Sequence, residues 1–219
     1  SLKNFQKEHN LTIFHLMGQH VNYKQRYRTK QARFWASSYE DKRPELTNAQ
    51  RKMLSHYDNA TLYNDSIVAQ IVKRFQKQDA IVIYVPDHGE ECYEENRGFI
   101  CRNHSAEIDW PLAHYEFEIP FWIYCSPKYI RNHRDIYRQI RKAKDKRFMT
   151  DALPHLLLYL AGIETPTYKE EYNILSPKYD EMRPRILKNS ADYDKLRDAH
   201  LEKIKKEESK KVKKKERRN

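Results

Sequence analysis

The stretch Ala80-Ile-Val-Ile-Tyr-Val-Pro-Asp-His-Gly-Glu90 constrains this chain more than any other. An apolar, β-forming run such as Ala80–Val85, bounded by turn residues, reads as a strand buried on both faces, the pattern of a parallel sheet. It drives directly into Asp87, His88 and Gly89. Open α/β sheets place their ligands just beyond the carboxyl ends of such strands. A carboxylate oxygen beside an imidazole nitrogen is a donor pair suited to zinc. Gly89 lets the chain turn away sharply after presenting them. The plain alternative is a strand that ends in a polar turn.

Leu11–Phe14 is a second short β-type run, followed by His15-Leu-Met-Gly-Gln-His20. Residues 21–46 are aromatic and basic without periodicity and read as a surface excursion. Thr47-x-x-Gln50 fits a capping box. A long helix follows, with Ala60, Tyr63, Ile67, Ile71 and Phe75 at near four-residue spacing and a break expected near Asp58-Asn59. Residues 90–118 read as loop. Pro120–Cys125 is a further strand, stopped by Ser126-Pro127, and residues 131–146 read as a charged surface helix. Thr150 is a plausible N-cap for a helix over Asp151–Ala161, with Gly162 just past its end. The alternation predicts an α/β fold, a mostly parallel sheet flanked by helices.

The 219 residues suffice for one domain with a sizeable core, and no apolar run approaches a membrane span; the longest, around Leu156–Ile163, has the length of a short core helix. No signal peptide opens the chain, so it is expected to be soluble. Of the net charge of +11, residues 201–219 carry +6, from ten Lys or Arg against four Glu. This divides the chain into a body over 1–190 and a basic helical tail over 191–219. Such a run is most simply a solvated helix or end; attraction to anionic lipid headgroups is the next alternative. Nucleic acid is not an expected partner, because no DNA- or RNA-reading module accompanies the tail. Cys92 and Cys101 flank a polar loop and either bridge in an oxidising compartment or remain thiols, whereas Cys125 ends an apolar strand and reads as core.

Histidines gather at the predicted strand ends. His15 and His20 follow one, His88 follows another, and His104 lies in the next loop. Strand ends of a parallel sheet are neighbours, so Asp87, His88, His20 and His104 are expected to converge on one pocket, suited to zinc or to a metal with an anionic substrate. Taken singly, each histidine is as well explained by a structural hydrogen bond.

Phe14-His-Leu-Met-Gly-Gln-His20 with Tyr23 and Tyr27, Tyr57-Asp-Asn-Ala60, Tyr84-Val-Pro-Asp-His-Gly-Glu90, Ile119-Pro-Phe-Trp122 and Met149–Pro154 through Gly162-Ile163 occur in an order and spacing that resembles the bacterial lipid A phosphoethanolamine transferases. These belong to the sulfatase and alkaline phosphatase superfamily, and the likeness spans about residues 10–165, the C-terminal part of the catalytic domain. The resemblance implies an alkaline phosphatase/sulfatase-like fold, incomplete at its N-terminal side. It implies zinc held by Asp87 and His88, with His20 and His104 near the phosphoryl group or a second zinc. Glu90 is then placed to orient His88, and His15 shapes the strand end. Tyr57, Asp58 and Asn59 are read as helix packing and capping. The resemblance also implies a threonine nucleophile and a glutamate ligand upstream of this chain, and N-terminal membrane helices, so that the chain alone is inactive. The implied reaction moves phosphoethanolamine from phosphatidylethanolamine to lipid A or a related glycan, in a protein of the inner membrane with its catalytic domain in the periplasm. Other sulfatase-like hydrolases, or a catalytically incomplete module that binds anionic surfaces, are the alternatives. Cys125-Ser-Pro-Lys-Tyr129 superficially resembles the Cys-x-Pro-x-Arg sequence of true sulfatases, but it lacks the arginine and falls after the Asp-His-Gly strand.

Overall fold

The computed structural model describes residues 10–102 and 107–216, and His104 therefore lies outside the described residues. In chain order the helices and strands are α1 (Asn48–Phe75), β1 (Ile81–Tyr84), β2 (Glu91–Cys92), β3 (Phe99–Cys101), α2 (Trp110–Phe117), β4 (Trp122–Cys125), α3 (Pro127–Asn132), α4 (Arg134–Ala143), α5 (Leu153–Leu160), β5 (Ile186–Leu187), β6 (Ala191–Asp192) and α6 (Tyr193–Glu216). They form two compact units. One comprises the chain up to Ile83 with Ile123–Glu181, the other Tyr84–Trp122 with Met182 onward. Among the described residues no helix is long and apolar enough to cross a membrane.

The first unit is built on α1. The capping box forms as the sequence requires: Gln50 N donates to Thr47 Oγ1 at 3.3 Å, and Thr47 N donates to Gln50 Oε1 at 2.7 Å. The expected break at Asp58-Asn59 is absent, and α1 is continuous. Both side chains are engaged outside their own turn. Asp58 accepts from the Tyr39 hydroxyl. Buried Asn59 accepts from Arg33 N at 2.6 Å and Phe34 N at 3.1 Å, and donates to Phe34 O and Ser55 O, both at 2.8 Å. These bonds, with Tyr23 edge-on to Tyr57 at 5.2 Å and Tyr27 Oη 2.9 Å from His56 Nδ1, pin the aperiodic 21–46 excursion to the helix.

Leu11–Phe14 forms no strand. Leu11 and Ile13 are exposed, and no sheet includes the segment, so the β propensity is left without a partner ladder. β1 and β4 form where expected and pair with each other. Ser126 N, just past β4, donates to Ala80 O, just before β1, at 3.0 Å, while the Tyr84 ring at the end of β1 stacks on Trp122 at the start of β4. Start meets end, so the two strands run in opposite directions. The other two sheets, β2–β3 and β5–β6, are antiparallel hairpins. The described strands thus display neither the parallel character nor the full burial expected: β1 is half-buried along its whole length, and an apolar run is silent on strand direction.

Buried Ser126 donates through Oγ to Gln78 O at 2.6 Å and accepts there from Tyr129 N at 3.0 Å, capping α3. With Cys125 and Tyr129 also buried, Cys125–Tyr129 is a strand-to-helix joint. Cys92, Cys101 and Cys125 stand as thiols.

In the second unit, residues expected to be loop contain the β2–β3 hairpin and α2. Asp109 caps α2, its Oδ1 accepting from Leu112 N at 3.0 Å, and Pro111 occupies the first turn. Ala113, Leu187 and Tyr193 form the unit's buried cluster, joined by Ile108, Trp110, Phe117 and Leu196. α6 starts from Asp192, which accepts from Asp194 N at 3.0 Å and Lys195 N at 3.2 Å.

Candidate metal-binding strand end

β1 ends at Tyr84, Pro86 cannot extend the ladder, and the chain delivers Asp87 and His88. Asp87 is open to solvent, its side chain 86 % exposed, whereas His88 is mostly covered at 20 %. His88 Nε2 lies 3.7 Å from Asp87 Oδ2. On its other side, His88 Nδ1 is 2.7 Å from the Gly89 carbonyl oxygen. A carbonyl only accepts, so Nδ1 carries a proton, and Nε2 is the ring nitrogen on the Asp87 side. A cation placed between this nitrogen and the carboxylate would be held by both.

Gly89 is required here for a reason other than a sharp turn. A Cβ built on it would lie 2.1 Å from the Tyr115 carbonyl oxygen of α2. Gly89 N donates to Glu116 O at 2.8 Å. The strand end is therefore laid directly on the α2 backbone, where no side chain fits.

Beneath it lies an ionic cluster that residue patterns did not single out. Glu91, 1 % exposed, is 2.8 Å from Arg97 Nε, and Arg97 Nη1 bonds Asp109 Oδ2 at 2.5 Å. The Arg97–Glu91 contact is close but poorly aligned, and neither Glu91 oxygen receives a directed hydrogen bond among the described residues. Burial pushes the Glu91 carboxyl above its ordinary value; Arg97 pulls it down, and Glu116 and Asp109 add to the rise. Asp109 moves the other way. Its burial acts upward, but the Leu112 N–H and Arg97 hold it below the usual carboxylate range. The readable signal was Asp109-Trp-Pro111, a helix start; the ion pairs themselves depend on the hairpin folding back.

The sequence-expected residues thus divide. Asp87 and His88 meet. Glu90 is half-buried next to them in the chain, while the partner that holds the His88 Nδ1 is the Gly89 carbonyl. His20 belongs to the first unit, exposed, with its carbonyl accepting from Arg26 Nε at 3.0 Å. His15 is exposed as well. His104 lies outside the described residues. Among the described residues no group of three or more His, Cys, Asp or Glu is gathered closely enough to complete a metal shell.

The profile of the sulfatase family matches residues 2–163. Phosphoethanolamine transferase EptC of Escherichia coli K12 is 31% identical over 175 residues, covering 78% of this chain and 29% of the relative. The Kdo(2)-lipid A phosphoethanolamine 7''-transferase of the same organism is 31% identical over 140 residues, 63% of this chain and 23% of its own length. The crystal structure of the C-terminal periplasmic domain of EcEptC in complex with Zn superposes with a TM-score of 0.64 at 27% identity, over 82% of this chain and 50% of that one. The fold described above is therefore that of the EptC periplasmic domain, mixed helix and sheet. The chain spans less than a third of the length of the curated relatives it matches.

Proposed function

The chain belongs to the sulfatase family, and from that premise we propose that it carries part of a zinc-dependent site which, in the whole protein, transfers phosphoethanolamine from phosphatidylethanolamine to lipid A or a related cell-surface glycan. The observation that carries the proposal is the Asp87–His88 pair, whose facing oxygen and nitrogen stand 3.7 Å apart. Two donors at zinc-ligand distances on adjacent tetrahedral corners would be about 3.3 Å apart. The pair therefore fits as half of a zinc shell and leaves the remaining donors to be supplied from elsewhere. Taken alone, the chain would bind zinc weakly.

When bound, zinc supplies positive charge to the phosphoryl oxygens and lowers the pKa of an attacking hydroxyl. The residues of this chain do the rest. The Gly89 carbonyl keeps the proton on His88 Nδ1, so that Nε2 presents its lone pair. The Gly89–Glu116 bond and the absence of a Cβ hold the strand end in register on α2. His20 and His104 are assigned to hydrogen bonding or positive charge at the phosphoryl oxygens, each worth on the order of 10²–10³ in rate, and Glu90 to the surroundings of the strand end, since the Gly89 carbonyl already orients His88. Residues 1–190 would form the C-terminal part of a sulfatase-like catalytic domain, in which β1 and β4 join a larger, mostly parallel sheet. The neighbours in structure are periplasmic domains, which supports a protein of the inner membrane working on the periplasmic face.

The test uses the full-length protein. Asp87→Ala and His88→Ala are expected to lose tightly bound zinc, measured by metal analysis after dialysis, and to abolish phosphoethanolamine transfer to lipid A. Near-normal zinc content and turnover in either variant would sink the assignment.

A further inference from the structure

α6 has two halves in different surroundings. In the first, Tyr193 is buried, Leu196 packs against the Ala113–Leu187–Tyr193 cluster, and the His200 ring stacks on Trp110 at 5.2 Å. From Leu201 to Val212 every residue is exposed. Lys203, Lys206 and Lys210 recur at the three- and four-residue spacing that shares one helix face. Glu202, 3.5 Å from Lys206 Nζ, and Glu207 border this face, and Glu208 lies opposite. Leu201, Ile204 and Val212 share Glu208's flank, so no continuous apolar edge is available to insert into a bilayer.

We infer that this lysine face docks the protein onto a membrane surface bearing anionic phospholipid headgroups. Charge complementarity selects the occupant, since residues 201–219 carry +6 of the chain's +11. Lysine is a flexible point charge, suited to a diffuse plane of negative headgroups. Nucleic acid recognition favours arginine forks and aromatic stacking platforms, whereas residues 201–219 contain no aromatic residue and eight Lys against two Arg. The inference rests on α6 alone and is independent of the zinc site.

The 219-residue chain is mixed with phosphatidylcholine vesicles with and without phosphatidylglycerol, and the bound fraction is read by flotation. Binding is expected only to the anionic vesicles and is lost at about 0.5 M salt, where screening is nearly complete within a few ångströms. The triple variant Lys203→Glu, Lys206→Glu, Lys210→Glu lowers partitioning at least about 100-fold, each lysine contributing roughly fivefold. The same charge change at exposed Lys77, Lys128 and Arg131 leaves most binding intact. Equal loss in both triple variants, equal binding to neutral vesicles, salt-resistant binding, or tighter binding to an RNA or DNA oligonucleotide at the same salt would each overturn the inference.

Discussion

Gly89 and Arg97 show how much of the site is set one residue at a time. A Cβ at position 89 would meet a helix carbonyl, a backbone group that cannot rotate away. Gly89→Ala is therefore expected to cost about 3 kcal/mol or more and to move Asp87 and His88, read by urea denaturation and by zinc affinity of the full-length protein. Arg97 balances a buried carboxylate. Arg97→Ala should cost about 3 kcal/mol near neutral pH by stranding Glu91. The sign follows from the direction of the shift. An acid whose folded pKa is raised binds its proton more tightly when folded, so its penalty is absent at low pH and grows as pH climbs from the unfolded value through the folded one. The loss caused by Arg97→Ala should shrink toward pH 4. A loss that is flat with pH would show that Glu91 is not the stranded group. Neither effect was visible along the chain, because Tyr115 and Arg97 reach their partners only after the hairpin and α2 fold against each other.

At the scale of elements, α1 does what its residues prescribe at its start and exceeds expectation in its middle. Thr47 and Gln50 cap it within one turn, a local arrangement that any chain with that spacing can make. Asparagine competes with the helix backbone in local turns, which favours a break near Asp58-Asn59. Here Asn59 saturates both of its donors and both acceptor sites, three of the four bonds reaching Arg33 and Phe34. Asn59→Ala is expected to destabilise by on the order of 1–3 kcal/mol, since part-buried N–H and C=O groups of the excursion lose their partner. Hydrogen exchange should quicken at residues 33–34 while α1 stays protected; a uniform loss along α1 would contradict this account. The excursion lacks periodicity because its order is imported from the helix.

For the molecule as a whole, the second unit closes when α6 returns to α2. Tyr193 donates its hydroxyl to Glu118, and Arg185 lies 4.3 Å over the Tyr193 ring while pairing with Asp194. Burial acts to raise the Glu118 carboxyl, but the Tyr193 hydroxyl and His114 hold it below its ordinary value. A depressed acid contributes stability above its unfolded pKa and loses it as pH falls through the folded one. Protection of residues 193–200 in hydrogen exchange should therefore fall on acidification below about pH 4.5, the ordinary value for such a group. Glu118→Gln should remove that acid step, and its survival in the variant would disprove the linkage.

Short-range chemistry was enough for β1, β4, the cap of α1 and the adjacency of Asp87 and His88, since each depends on residues within a turn or a strand of one another. Strand direction, the reason for Gly89, the hairpin with its ionic cluster and the failure of Leu11–Phe14 to pair were settled only by folding. Each depends on which distant backbone arrives alongside, and residue spacing along a chain does not encode that arrival.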